Sequence, residues 1–281
     1  MRVTPSAEPR YSPEPYWQKR FARNVDLTTV GDLTLGYAYN CWLYRARFGA
    51  MRRALKKLAM DVSGRSVLDI GVGSGAWIPF WQKHGVSKIV GFDIASASVR
   101  ALRERYPQFR FIRGNICSAL PVEARETFHI VTAFDVLFHV TDDQDFSRAI
   151  VNISGFLKPG GWALLTDSFC AKPWGPSFHE YHRSYDHYLT QLDTASLTPI
   201  HMEPIFHTMT PPLSDPESPC GRARTRLTSM SLRLVRKLSS RPGMAWMNHG
   251  IGCSLFLLDN ALCRCAKSSP SLKILFARKR S

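Results

Sequence analysis

The sequence predicts an α/β fold built on a doubly wound, mostly parallel sheet, and three observations carry that expectation. A short apolar strand, Val67-Leu68-Asp69-Ile70, runs into Gly71, Gly73 and Gly75, where the backbone can turn sharply and approach a ligand that any Cβ would obstruct. A second apolar strand, Ser87 to Asp93, ends in an acid about 20 residues beyond Gly71, the spacing at which a strand-helix-strand unit presents a carboxylate to ribose hydroxyls. Strand and helix patterns then alternate as far as Leu165, as they do in a sheet covered by helices on both faces. With 281 residues and 44% hydrophobic content, the chain is most simply one domain with appendages.

Gly71 to Ala76 also fits the G-x-G-x-x-G/A fingerprint of dinucleotide sites. Asp69 separates the two readings, because an acid two residues before the first glycine repels a pyrophosphate and welcomes a cation. The whole phrase D-x-G-x-G-x-G resembles motif I of class I S-adenosylmethionine-dependent methyltransferases. Phe128 to Val140 is similar to that family's fourth strand and the loop after it, and Phe156-Leu157-Lys158-Pro159-Gly160-Gly161 to its entry into the fifth strand. Leu35 to Arg47 resembles the helical cap preceding motif I in the bacterial small-molecule members. The resemblance implies a Rossmann-like, seven-stranded sheet closed by an antiparallel last strand, with a helical cap and, here, a helical insertion. It implies S-adenosyl-L-methionine as cofactor, held by Arg45 or Arg47 on the methionine carboxylate, by Asp69, Gly71, Gly73, Gly75, Asp93 and Ile94, by Asn115 and Ile116 at the adenine, and by Phe134 and Asp135 beside the amino group. At Asn115 the family usually has an acid; an amide oxygen accepts the same hydrogen bond without a full charge.

Taken in order, residues 1–15, with Pro5, Pro9, Pro13 and Pro15 and no apolar signal-peptide core, are expected to be disordered. Residues 16–60 form the helical cap, and 61–210 the core. In the core, Ala95 to Tyr106 is a helix stopped by Pro107, and Arg110 to Ile116 is strand three. Strand four delivers Asp135 to the carboxyl edge of the sheet, where open α/β folds bind ligands, and His139 follows it. Asp142, Asp143 and Asp145 open the next helix, where acids favour the positive end of the dipole, and no metal site is expected from them. Phe178 to Tyr188 is dense in polar aromatics: His179, Tyr181, Arg183 and Tyr185 are the expected substrate wall, and His182 and His139 the candidate bases for a hydroxyl acceptor. Pro199 to Met209 reads as strand six and Leu272 to Lys279 as the last strand. Residues 211–269 between them are too long for a hairpin loop and predict an insertion of two helices, entered irregularly through Pro211, Pro212, Pro216 and Pro219.

The net charge is +15, concentrated towards the C-terminus. Arg222, Arg224, Arg226, Arg233, Arg236, Lys237 and Arg241 have no acid among them, and residues 264–281 add further Arg and Lys, again without an acid. A solvated helix face and a charged tail account for this, and so would an RNA, lipid or protein partner; no RNA-binding module is legible. Seven scattered cysteines suit a reducing cytoplasm. Ile251 to Cys263, the most apolar segment, is too short to span a bilayer. The residues therefore point to methyl transfer onto a small molecule, at oxygen. An RNA or protein acceptor reached through the basic face, or a non-catalytic cofactor-binding role, stands as the alternative.

Overall fold

The computed structural model describes residues 11–118, 127–211, 219–241, 243–265 and 270–280. Strand β1 (Ser66–Ile70) is buried along its whole length because it lies at the centre of the sheet, parallel to β2 (Lys88–Asp93) on one side and β4 (Phe128–Ala133) on the other. Beyond β2 lies β3 (Arg110–Arg113), and beyond β4 lie β5 (Leu157–Asp167), β9 (Leu272–Lys279) and β8 (Leu197–Phe206). The seven-stranded order is β3-β2-β1-β4-β5-β9-β8, parallel except where β9 runs against both β5 and β8. This is the expected sheet, with strand three shorter at its end than its apolar pattern suggests.

Alternation along the strands makes two cores. Leu68, Ile70, Val131 and Ala133 face α6 (Asp143–Phe156) and α7 (Tyr185–Thr194), whose Phe146, Ile150, Ile153 and Leu192 complete that layer. Val67 and Ile130 face the other way, towards α4 (Ile78–Lys83), α5 (Ser96–Arg105) and the N-terminal helices. Asp142 caps α6, its Oδ1 accepting the N–H groups of Gln144 and Asp145 at 2.9 Å, as the acid run predicts.

The N-terminal cap comprises α1 (Pro13–Phe21), α2 (Leu27–Val30) and α3 (Gly36–Lys57). Disorder was expected as far as Pro15, yet α1 starts at Pro13, where a proline's fixed φ suits the first turn, and buries Phe21. The part of that expectation covering residues 1–10, Pro5 and Pro9 included, lies outside the described residues, as does the irregular approach through Pro212 and Pro216. The insertion forms α8 (Pro219–Ser239) and α9 (Ala245–Cys265), and α9 packs on α3. Close approach is possible because Gly252 leaves room for Trp42. Asp259, the acid interrupting the apolar segment, is fully buried and accepts the backbone N–H groups of His207, Thr208 and Met209, so α9 caps the end of β8. On α3, Arg53 and Lys57 reach Glu203 of β8 at 2.7 and 2.9 Å. A further pair of short strands, β6 (Trp174–Ser177) and β7 (Glu180–His182), forms a separate antiparallel hairpin where a loop was expected.

Candidate active site

The loop after β1 turns at Gly71, with φ of 67°, and at Gly73, with φ of 55°. A methyl group at Gly71 would sit 2.2 Å from Val136 Cγ2, and one at Gly73 would sit 2.7 Å from Val30 Cγ1, so both positions require glycine on conformational and steric grounds. Asp93 fixes the loop from beside it: its Oδ2 accepts the Gly73 N–H at 2.8 Å and its Oδ1 the Ala95 N–H at 2.9 Å. Burial raises the Asp93 carboxyl above its ordinary range, and those backbone donors partly offset the rise.

These residues open onto a cavity of about 610 Å³ at the carboxyl edge of the sheet. Gly71, Gly73, Asp93, Ile94, Asn115, Ile116, Phe134, Asp135 and His139 all line it. Trp77 stacks against Phe134 with ring centroids 4.3 Å apart, forming an aromatic wall beside the loop. Asn115 spends one hydrogen bond locally, its Oδ1 accepting the Cys117 N–H at 2.9 Å. Asp135 has φ of 58°, a left-handed value uncommon for a residue with a side chain, and its carboxylate holds Arg47 Nη2 at 2.7 Å. Arg47 lies over the rings of Tyr44 and Phe206.

His139 is the ionisable ring at the cavity. Its Nδ1–H donates to the His179 carbonyl at 2.9 Å, which leaves Nε2 as the lone-pair nitrogen, and burial pushes its pKa down to about 3. Trp17 packs edge-on to it at 5.0 Å, and the His179 ring stacks parallel at 5.4 Å. Over this end lies α1, which with Tyr11 contributes Tyr11, Pro13, Trp17 and Phe21, while the β6–β7 turn adds Phe178. The helix is strapped down by Arg20, which donates to the carbonyls of Thr29 and Gly31, and by Gln18, whose Oε1 accepts from Ser96 and Ala97.

Several sequence expectations need correction. Neither Arg45 nor Arg47 lines the cavity: Arg45 is exposed and lies over Trp42, and Arg47 is turned inward onto Asp135. Asp69 lies behind the loop without lining the cavity, one oxygen taking the Thr132 hydroxyl at 2.6 Å and the other lacking a partner. Gly75 likewise shapes the loop from behind, against Leu102 and Ile78. His182 is no base at the cavity: it is buried, with Nδ1 2.5 Å from Asp167, whose other oxygen accepts from Tyr188. Tyr181, Arg183 and Tyr185 are not a substrate wall. Arg183 is buried on Phe146 and bonded to Asp143 and the Val140 carbonyl, Tyr181 packs against Arg183, and Tyr185 packs on Phe169. His179 contributes a carbonyl and a stacked ring. None of the residues of α9 lines the cavity. The cap expected from residue 16 does wall the cavity through Trp17 and Phe21, and what sequence reasoning missed is its earlier start, with Tyr11 and Pro13 also lining the cavity. Among the described residues, His139, His179 and Glu180 are the grouping with ligand atoms near enough, within 4.8 Å of one another, to suggest a metal.

Residues 67–161 match the family model of a methyltransferase domain. That segment is a methyltransferase domain. The chain is 30% identical over 181 residues to erythromycin 3''-O-methyltransferase of Saccharopolyspora erythraea, covering 59% of this chain and 54% of that one. It is 30% identical over 110 residues to the ubiquinone biosynthesis O-methyltransferase of Albidiferax ferrireducens, covering 37% and 42%, and 27% identical over 121 residues to the demethylmenaquinone methyltransferase of Chlorobaculum tepidum, covering 43% and 48%. The chain thus spans about half the length of these relatives. In fold it is similar to the [4+2]-cyclase SpnF, with a TM-score of 0.51, 18% identity and coverage of 81% of this chain and 80% of that one.

The cavity fits S-adenosylmethionine. Among the described residues no Lys or Arg lines it, although the chain carries a net charge of +15, while Asp93, Asp135, Asp142 and Asp145 do. Such a lining favours a ligand bearing a sulfonium and an ammonium over one bearing a pyrophosphate. The Gly71–Gly73 turn supplies the close backbone approach, and Asp93 and Asn115 stand at the ends of β2 and β3, where the ribose and adenine of the cofactor belong in this fold.

Proposed function

We propose that the protein methylates a hydroxyl oxygen on a small, largely apolar molecule. The observation that carries this reading is His139, a neutral imidazole at a cavity closed by aromatic side chains. When bound, S-adenosylmethionine supplies an electrophilic methyl group at this edge of the sheet. The chain's own part is to position, to exclude water and to receive a proton. Trp17, Tyr11 and Phe178 supply an apolar cover over the space beside His139, suited to a small ligand. As the acceptor oxygen gains its new O–CH3 bond and the S–CH3 bond breaks, the hydroxyl becomes strongly acidic and its proton passes to His139 Nε2. A base of low pKa suffices at that stage, and its low pKa keeps it unprotonated throughout the physiological range. The relatives named for O-methylation, of erythromycin and in ubiquinone biosynthesis, support oxygen as the acceptor atom.

With a hydroxyl acceptor identified by product mass, His139→Gln should lower kcat by about 10²- to 10⁴-fold while leaving S-adenosylhomocysteine affinity unchanged. The unaltered protein should keep its rate from pH 8 down to pH 5, because His139 titrates only near 3. Full activity in the variant would remove His139 from proton transfer and favour an acceptor that needs no deprotonation.

A further inference from the structure

We propose that the outer face of α8, together with the adjoining face of α9, docks on an anionic lipid surface. Twelve large apolar side chains are exposed among the described residues, and six of them, Leu227, Met230, Leu234, Trp246, Leu257 and Leu258, lie on these two helices. Met230 is 67% exposed and Trp246 70%, so neither is a core residue with an edge showing. On α8, Thr228, Leu232, Val235 and Leu238 are buried, and at 100° per residue Leu227, Met230 and Leu234 fall together along one flank of that buried stripe. Arg226, Arg233 and Lys237, all exposed, form the stripe beside them. The helix contains no acid. An apolar ridge flanked by cations, with an exposed tryptophan at the start of the next helix, is the pattern of a helix that lies in a membrane interface. Neither helix is long and apolar enough to cross a bilayer.

Charge selects this occupant over the others. A second copy of the chain seated symmetrically would oppose one basic stripe to another. RNA would satisfy the cations and leave Leu227, Met230 and Leu234 unused, since aliphatic side chains offer bases nothing to stack on. An anionic bilayer takes both stripes at once, the acyl boundary receiving the ridge and the headgroups the cations. The patch also continues towards the cavity. Ser239 of α8 donates to the Leu35 carbonyl and Arg236 reaches Thr34 and Asp32, in a segment where Leu33 and Tyr37 are exposed and which leads back to Val30 at the cavity wall. Docking therefore sets the covered end of the cavity close to a lipid surface, from which an apolar acceptor could enter without crossing water.

The test is flotation of the full chain at physiological salt with vesicles of phosphatidylcholine alone and of phosphatidylcholine with phosphatidylglycerol. The chain should float with the anionic vesicles only. Replacing Arg226, Arg233 and Lys237 with Gln together should weaken that binding about a hundredfold, and Leu227→Ser, Met230→Ser and Leu234→Ser together by at least about tenfold. All variants should keep the Tm and the S-adenosylhomocysteine affinity of the parent, which separates docking from the methyl-transfer reading. If the triple variants fail to fold, Trp246→Phe serves instead: it should abolish a blue shift of tryptophan emission seen when anionic vesicles are added. Equal flotation with both vesicles, binding unaltered by loss of the apolar ridge, a stable dimer that hides Trp246, or RNA bound at physiological salt where vesicles are not, would each overturn the proposal.

Discussion

Asp69 has one oxygen that Thr132 uses and one without a hydrogen-bond partner, and that imbalance sets how it titrates. Burial raises its pKa to about 7, opposed by the Thr132 hydroxyl and reinforced by the nearby Asp93 charge. A carboxyl raised in the folded state contributes stability that is fully present below its ordinary value near 4 and is lost as pH rises through about 7. Asp69→Asn should therefore leave stability near pH 4 almost unchanged and raise it at pH 8 by on the order of 2 kcal/mol, read by urea denaturation of the cofactor-free protein. An equal gain at both pH values would show that the charge of Asp69 is not the cause. Sequence alone marked Asp69 as important but placed it against the ligand, since spacing reveals which strand carries an acid and not which of its faces is covered. The same limit explains Arg45 and Arg47: two residues apart on a helix, one faces the core and the other solvent, and only the docking of α3 decides between them.

Among the elements, α3 is tied to β8 through one buried carboxylate. Glu203 on β8 is fully buried and accepts from Arg53, Lys57 and His201. Burial alone would raise its pKa, but the hydrogen bonds from Lys57, Arg53 and His201 outweigh it and hold the carboxyl below its ordinary range. Its contribution is therefore present above the ordinary Glu value and lost only as pH falls beneath it. Glu203→Gln should cost about 3 kcal/mol by leaving Arg53 uncompensated, and Lys57→Ala less than about 1 kcal/mol because that side chain is half exposed. Equal costs in denaturation would mean that α3 does not dock through the buried carboxylate. The elements themselves were largely legible, for physical reasons: glycines and prolines punctuate them, Asp142 announces a helix, and Leu272 to Lys279 has the β-branched and aromatic content of a strand. The β6–β7 hairpin was not, because Trp174-Gly175-Pro176-Ser177 carries no alternation and owes its pairing to the neighbouring Cys170–Ser184 bridge and to packing of His182.

At the scale of the whole molecule, the cavity joins the strand ends to the N-terminal cap, so a ligand filling it should tighten both. S-adenosylhomocysteine at about 100 times its Kd should add about 2.7 kcal/mol and raise Tm by about 5 °C, measured by calorimetry. A rise with NAD and none with S-adenosylhomocysteine would unseat the cofactor assignment. Titration of the whole chain is a contest: His139 and His207, pushed by burial to about 3 and about 4, contribute stability present above their ordinary value near 6.5 and lost as pH falls through those lower values, against the opposite trend of Asp69.

β9 pairs with β5 on one side and β8 on the other, although both insertion helices separate it from β8 in the chain. On a ribosome, β5 and β8 are therefore made before the strand that joins them. Until residues 272–279 are available, β5 keeps an open edge and β8 has no place in the sheet. Such a chain pairs β9 late and across a long loop, so until that strand arrives it is exposed to wrong edge-to-edge pairing and to chaperone capture.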